Sequence, residues 1–231
     1  MANGESESSV AEAIDRGYQS LEEEKYEEAK SAFAEALSGD GESVPAHAGI
    51  CRALLALGDK KGAGEELDAA ASLETGAEHL NLFNVLGIRF RQAREYDLSL
   101  RAFDRALAIS PDESVLHYNK SLAQIVRMEL NDALSLLKRA IELRPEFPEA
   151  KKACEKVERW RERLEKESKT EAEPEAEAKE EPKAAEAAAE PDAEPEEDSA
   201  PPEESAEGPE EELDGLGMSD FEIKGDEVSG G

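Results

Sequence analysis

Apolar side chains along the first two-thirds of the chain recur every three to four residues. Tyr26, Ala29, Phe33 and Ala36 mark one such stripe, and Leu80, Phe83, Leu86, Gly87 and Phe90 mark another. A 3–4 rhythm places these side chains on one face of a helix. The rhythm breaks at Gly39, Gly41, Gly58 and Gly76, where turns are expected. Ser9-x-x-Glu12, Thr75-x-x-Glu78 and Ser110-Pro111-x-Glu113 have the form of capping boxes, the last with proline at the first helical position. The pattern predicts helix pairs at 10–23 and 27–38, 44–57 and 60–73, 79–93 and 96–109, and 113–127 and 130–143.

The pairs repeat in sequence. Ala29, Ala63, Ser99 and Ala133 form one series of small residues, spaced 34, 36 and 34. Phe33, Leu67, Phe103 and Leu137 form a second series with the same spacing, and Ala36, Ala70, Ala106 and Ala140 a third. Gly17, Cys51, Gly87 and Ser121 form a fourth, upstream of each. Antiparallel helices approach closely only where the touching side chains are small. The first small column is therefore expected to face the fourth, with the bulky column filling the space beside them. The two extra residues of the third interval are expected near Gly76–Glu78, in a loop.

These columns resemble the tetratricopeptide repeat family over about 10–147. The resemblance is strongest in Leu80–Glu113, with Gly87, Tyr96, Ser99, Phe103, Ala106 and Pro111 in the family's slots. It is weakest in Val44–Ala77, where Cys51 stands in a Gly or Ala slot and Thr75 in that of the closing proline. Ser114–Phe147 carries Ala133, Ala140 and Pro145. The resemblance implies an all-α, right-handed α-solenoid of four helix-turn-helix repeats, at 10–43, 44–77, 80–113 and 114–147, with a concave groove for peptides or partner helices. A terminal repeat would expose its apolar face and needs a cap. Residues 148–168 supply one, with Ala150, Ala153, Cys154, Val157, Trp160 and Leu164 on one stripe and basic residues mixed with Glu opposite.

Charge divides the chain differently. The formal net charge is −30, of which residues 169–231 contribute −20 and residues 1–168 contribute −10. Seven of the 11 prolines also follow residue 168. From Glu165 to Glu212 the only apolar side chain besides Pro is Ala, too little to offset ordering entropy. Residues 169–231 read as a disordered acidic tail, and 1–9 as a disordered N-terminus. Within the tail, Leu213, Leu216, Met218, Phe221 and Ile223 return as a short apolar motif. It is either a terminal remnant or a docking motif for the protein's own groove, an intramolecular tail contact.

A surface this acidic repels phosphates, so no nucleic acid is expected as a partner. The longest apolar run, Ala53–Leu57, has five residues where a membrane span needs about 20, so no membrane insertion is expected. The N-terminus lacks the basic and apolar regions of a secretory signal, and a cytoplasmic location is the expectation.

In the family, the first helix of each pair lines the concave surface. That register assigns Ile14, Tyr18 and Leu21 to the groove from the first pair, and Arg52 and Leu55 from the second. Asn81, Asn84, Ile88 and Arg91 follow from the third, and Tyr118, Asn119, Leu122 and Ile125 from the fourth. Apolar side chains would supply affinity by desolvation, and Asn amides suit an extended peptide backbone. The competing reading is that the aliphatic members pack between helices. Family members that grip acidic chaperone C-termini use Lys and Asn one turn apart. Ile14 and Tyr18, and Asn81 and Val85, stand there instead, so that clamp is absent.

No catalytic residue, metal ligand set or cofactor is expected. His47 and His117 fall in equivalent core slots, His79 lies near a helix start, and Cys51 and Cys154 read as small buried residues. No phosphate-binding glycine loop appears. The protein reads as a non-enzymatic scaffold or adaptor for a protein or peptide partner. The alternatives are a client-specific chaperone of the secretion type, or an acidic-tail chaperone for basic proteins.

Overall fold

The computed structural model describes residues 2–177, with side chains from residue 8 to 168. Among the described residues there are nine α-helices: α1 (Ala2–Glu22), α2 (Tyr26–Gly39), α3 (Val44–Ala56), α4 (Lys60–Ser72), α5 (Leu80–Gln92), α6 (Tyr96–Ile109), α7 (Ser114–Val126), α8 (Leu130–Leu143) and α9 (Pro148–Glu177). A 3-10 turn, Ala77–His79, precedes α5 and absorbs the longer third interval. Connections this short force neighbouring helices antiparallel. The densest packing is within the pairs α1/α2, α3/α4, α5/α6 and α7/α8. The first helices also pack on one another in one layer, α1 on α3, α3 on α5 and α5 on α7, and α9 closes the far end against α8.

Three expectations need correction. The first helix starts at Ala2, where a disordered start through residue 9 was expected. Ser9 therefore lies inside α1 and not at its N-cap position. Once the downstream half is docked, each added helical residue gains a hydrogen bond without a new nucleation cost. The closing helix likewise runs past residue 168 to Glu177. The rest of the expected acidic tail, 178–231 with its apolar motif, lies outside the described residues. Finally, the other two capping boxes do not form. Ser110 ends α6, and Glu113 caps α7, its carboxylate accepting from the Val115 N–H at 3.4 Å. Thr75 Oγ1 instead accepts from Arg105 of α6 at 2.7 Å, and the same guanidinium donates to the Leu73 carbonyl at 2.8 Å. That pair of bonds fastens the inserted loop to the next helix pair.

The small-residue columns meet as expected. An ideal Cβ on Gly17 would lie 2.6 Å from the Phe33 ring, and one on Gly87 2.6 Å from Phe103. Gly49 of α3 also presses on Phe33, so glycines of two successive pairs meet that one ring. Cys51 Sγ donates to the Ala63 carbonyl at 3.1 Å, and Ser99 Oγ to the Gly87 carbonyl at 2.8 Å. Both polar atoms are satisfied inside the close contact. Phe33, Leu67, Phe103 and Leu137 are all essentially fully buried. Full burial of each contributes about 1.5–3 kcal/mol.

A further column was not legible in the residue types. Glu24, Gly58, Arg94 and Met128 all have positive φ, at 59°, 84°, 62° and 62°. Each sits in the turn between the two helices of a pair. The next residue reverses the chain by donating to a carbonyl five positions back: Lys25 to Ser20 at 2.8 Å, Asp59 to Leu54 at 2.9 Å, Glu95 to Phe90 at 2.8 Å and Glu129 to Gln124 at 3.0 Å. This closure satisfies carbonyls that the helix end leaves open. Only one of the four positions is the glycine that left-handed backbone favours.

Candidate partner-binding face

The layer of first helices is open at one end and filled at the other. Ile14 and Tyr18 of α1, Arg52 and Leu55 of α3, and Asn81 of α5 are half-buried, with part of each side chain reaching solvent. Tyr18 is held on three sides. Its ring meets Phe33 edge-on at 5.1 Å, its hydroxyl donates to the Pro45 carbonyl at 3.4 Å, and the Arg52 guanidinium lies 5.9 Å over its face. Burial pushes the phenol pKa above its ordinary value, and the nearby Arg52 charge pulls it partly back. Tyr18 thus stays neutral and presents a rigid apolar edge beside a fixed positive charge.

The remaining predicted groove residues are not open to a ligand. Leu21, Ile88 and Arg91 are 8%, 5% and 6% exposed, and Asn84, Tyr118, Asn119, Leu122 and Ile125 are 0–1% exposed. Asn119 Nδ2 donates to Asn84 Oδ1 at 2.9 Å, so these two amides bond α7 to α5 rather than waiting for a peptide backbone. Tyr118 packs on Phe147, ring centroids 4.9 Å apart, and the Arg144 guanidinium lies 3.8 Å over the same ring. Tyr118, Leu122 and Ile125 belong to one core cluster with Phe147, Ala150, Val157 and Trp160 of the closing segment. For the fourth pair, and for Ile88, the inter-helix packing alternative holds. Burial of the Tyr118 phenol pushes its pKa up to about 12.

Two clefts flank the open stripe. One, of about 630 Å³, lies between the middle of α1 and the N-terminal end of α3, where Val10, Ile14 and Pro45 are ringed by Asp40, Glu42 and Glu74. The other, of about 580 Å³, lies at the C-terminal ends of α1, α3 and α5, with Leu21, Tyr26 and Leu55 beside Arg52 and Arg89. Glu22 and Glu24 also reach its rim. The stripe therefore runs from an acidic end to an arginine-bearing end. Tyr26 and Arg89 were not among the predicted residues. Neither occupies an inward position of the repeat register, and only the junction of three helix ends brings them together.

His47 and His117, expected in core slots, are half-buried, as is His79. His47 Nδ1 lies 2.7 Å from Glu66 Oε2, His117 Nε2 lies 2.8 Å from the Pro111 carbonyl, and His79 Nδ1 accepts from the Gly76 N–H at 3.3 Å. Each ring finds a polar partner at an element junction, which the apolar slot of the register did not foretell. Both cysteines are buried and unpaired to each other, and burial pushes the Cys51 thiol well above the ordinary thiol range. No three His, Cys, Asp or Glu side chains among the described residues cluster to hold a metal. No helix among them is long and apolar enough to cross a membrane.

Stacked antiparallel pairs, recurring close-contact columns and an open layer of first helices define an all-α helical-repeat protein. The tetratricopeptide repeat family model matches residues 20–82 of the chain. Its fold is similar to that of PilF from Pseudomonas aeruginosa, with TM-score 0.52 at 19% identity over 71% of this chain and 72% of that one. MamA is similar too, with TM-score 0.52 at 19% identity over 77% and 98%. MamA from Desulfovibrio magneticus RS-1 gives 0.51 at 17% identity over 75% and 98%. At these identities the likeness is one of fold alone. No curated protein sequence matches the chain.

Proposed function

We propose that the protein is a non-catalytic adaptor that binds an extended peptide or a helix of a partner protein along the first helices of its first three pairs. The observation that carries this reading is the half-open stripe Ile14, Tyr18, Arg52, Leu55 and Asn81, continuous at both ends with clefts of several hundred cubic ångströms. Tetratricopeptide repeats are typically protein-interaction modules, which agrees with an open face of this chemistry. Tyr18 and Leu55 offer preformed apolar contact with little side-chain entropy left to lose, the usual character of an anchoring site. Arg52, stacked on Tyr18, supplies a positioned fork of donors for a carboxylate or carbonyl.

The binding part of the face is formed by the first three pairs. In the fourth pair the closing helix fills the equivalent space. The test is a selection of random 15-residue displayed peptides on the full chain, followed by titration against variants. Tyr18→Ala, Arg52→Ala and Leu55→Ser should each weaken the selected peptides about tenfold or more. Lys61→Ala, on the exposed side of α4, should leave them unchanged. Peptides that bind all four variants alike would refute the assignment of the face.

A further inference from the structure

We propose that the arginine-bearing cleft is the docking site for the chain's own segment Leu213–Ile223, which thereby competes with outside partners. This rests on the open face being a binding face, and it names one occupant.

A ligand carrying both apolar and acidic side chains suits this cleft. Tyr26 and Leu55 line it together with Arg52 and Arg89, while Glu22 and Glu24 stand at its rim. Arg89 donates to Gln92 Oε1 at 3.4 Å and meets no carboxylate among the described residues. Arginine at a helix C-terminus is favoured by the helix dipole alone, so the cations by themselves point to nothing. Their placement beside an apolar floor is what selects a ligand type. The opposite cleft, ringed by Asp40, Glu42 and Glu74, would repel the same ligand.

One stretch of the remaining sequence has that chemistry. Between Glu165 and Glu212 no side chain except Ala and Pro is apolar, and then Leu213, Leu216, Met218, Phe221 and Ile223 arrive interleaved with Asp214, Asp220 and Glu222. Phe221 and Ile223 can fill apolar ground while Asp220 and Glu222 meet guanidinium groups.

The topology delivers this segment to the correct edge. Successive helices are antiparallel, so α1, α3, α5, α7 and α9 all run in one direction. The C-terminal end of α9 therefore points toward the side on which α1, α3 and α5 end, where the cleft lies. Thirty-five residues separate Glu177 from Leu213. At about 3.3–3.6 Å per residue such a stretch can reach at most about 120 Å, so its length does not limit access to the cleft. A tether that spans the distance gives an effective concentration up to the order of 1 mM. With an intrinsic dissociation constant of about 100 µM it would fill the cleft about 90% of the time, reducing an outside partner's apparent affinity about tenfold.

The experiment uses the full-length chain carrying Leu216→Ser, Phe221→Ser and Ile223→Ser together. Display peptides selected on this substituted chain should bind the unsubstituted one about tenfold more weakly. Equal affinity overturns the proposal and leaves the binding face intact. If no peptide binds even the substituted chain, the reading of the face has failed, and the docking is decided separately by crosslinking. A benzophenone amino acid placed at Phe221 should then link within one molecule to the residues at 21–26, 52–56 or 89–93. Arg52→Gln with Arg89→Gln should reduce that yield several-fold. Links to other helices, links between two copies, or a yield indifferent to the arginines overturn the proposal.

Discussion

Replacing Gly87 by alanine should force α5 and α6 apart, and the size of the effect can be worked from the contact. The added Cβ would stand 2.6 Å from Phe103 Cε1 and 2.7 Å from its Cδ1 and Cζ, about an ångström inside ordinary contact. Phe103 is 0% exposed, so its ring has nowhere to retreat. The Ser99 hydroxyl bonded to the Gly87 carbonyl would be displaced as well. Overpacking of this kind costs about 3 kcal/mol, offset by about 1 kcal/mol of helix propensity gained on losing glycine, for a net loss near 2 kcal/mol. Phe103→Leu alone leaves a partial void and should cost about 1–2 kcal/mol, below the range for truncating Phe to Ala. The chain shows how to reconcile the two. Where the column holds Cys51 or Ser121, the facing residue is Leu67 or Leu137, and where it holds Gly17 or Gly87 the facing residue is Phe. The double variant G87A/F103L should therefore lose clearly less than the sum of the singles, with a coupling of about 1–2 kcal/mol. Urea unfolding followed by far-ultraviolet circular dichroism on all four proteins measures the cycle. Strictly additive losses, or a G87A protein as stable as the parent, would refute the reasoning that these columns are steric partners.

Other expectations follow from the same geometry. Met128→Gly relieves a left-handed φ of 62° on an exposed side chain and should stabilise by about 0.5–1 kcal/mol, whereas Gly58→Ala at φ 84° should destabilise by a similar amount. Thermal melts showing the opposite order would exclude strain at that turn. Asn84→Leu removes the acceptor of the buried 2.9 Å bond from the Asn119 amide and should cost about 1–3 kcal/mol by urea unfolding, without changing the affinity of any peptide bound at Tyr18 and Leu55. The Tyr118 phenol, raised by burial from 10.0 to about 12, favours the fold while neutral. Its contribution is complete below about pH 10 and lost as the pH rises through about 12, so melting temperatures over pH 9–12 should fall less steeply in Tyr118→Phe. With Cys51 and Cys154 both buried, a thiol-specific reagent should label neither in the native protein and both after unfolding.

The comparison of sequence with structure separates local from non-local causes. Helix spans were legible because apolar periodicity and glycine breaks are written within about a dozen residues. The expected span 96–109 is α6, and 130–143 is α8. The steric columns were legible because a solenoid repeats the same contact, so its residue types recur at a fixed interval. Helix ends were harder. The expected capping boxes gave way to Glu113 on α7 and to an Asp59 carboxylate accepting from Gly62 on α4 at 2.9 Å, because several polar residues near each turn compete for the same N–H groups.

The sequence by itself determined the all-α class, the paired helices and which small and large side chains touch within a pair, since those depend on spacing alone. Only the tertiary structure decided which inward positions stay open. Ile14 and Tyr118 hold equivalent places in the pattern, as do Tyr18 and Leu122, yet the first-pair residues reach solvent while Tyr118, packed on Phe147, and Leu122 are buried. The difference is set by what the neighbouring pair and α9 lay across each position, a contact between residues far apart in the chain that no single repeat encodes. The same holds for the arginine cleft, which exists only because the ends of three helices meet.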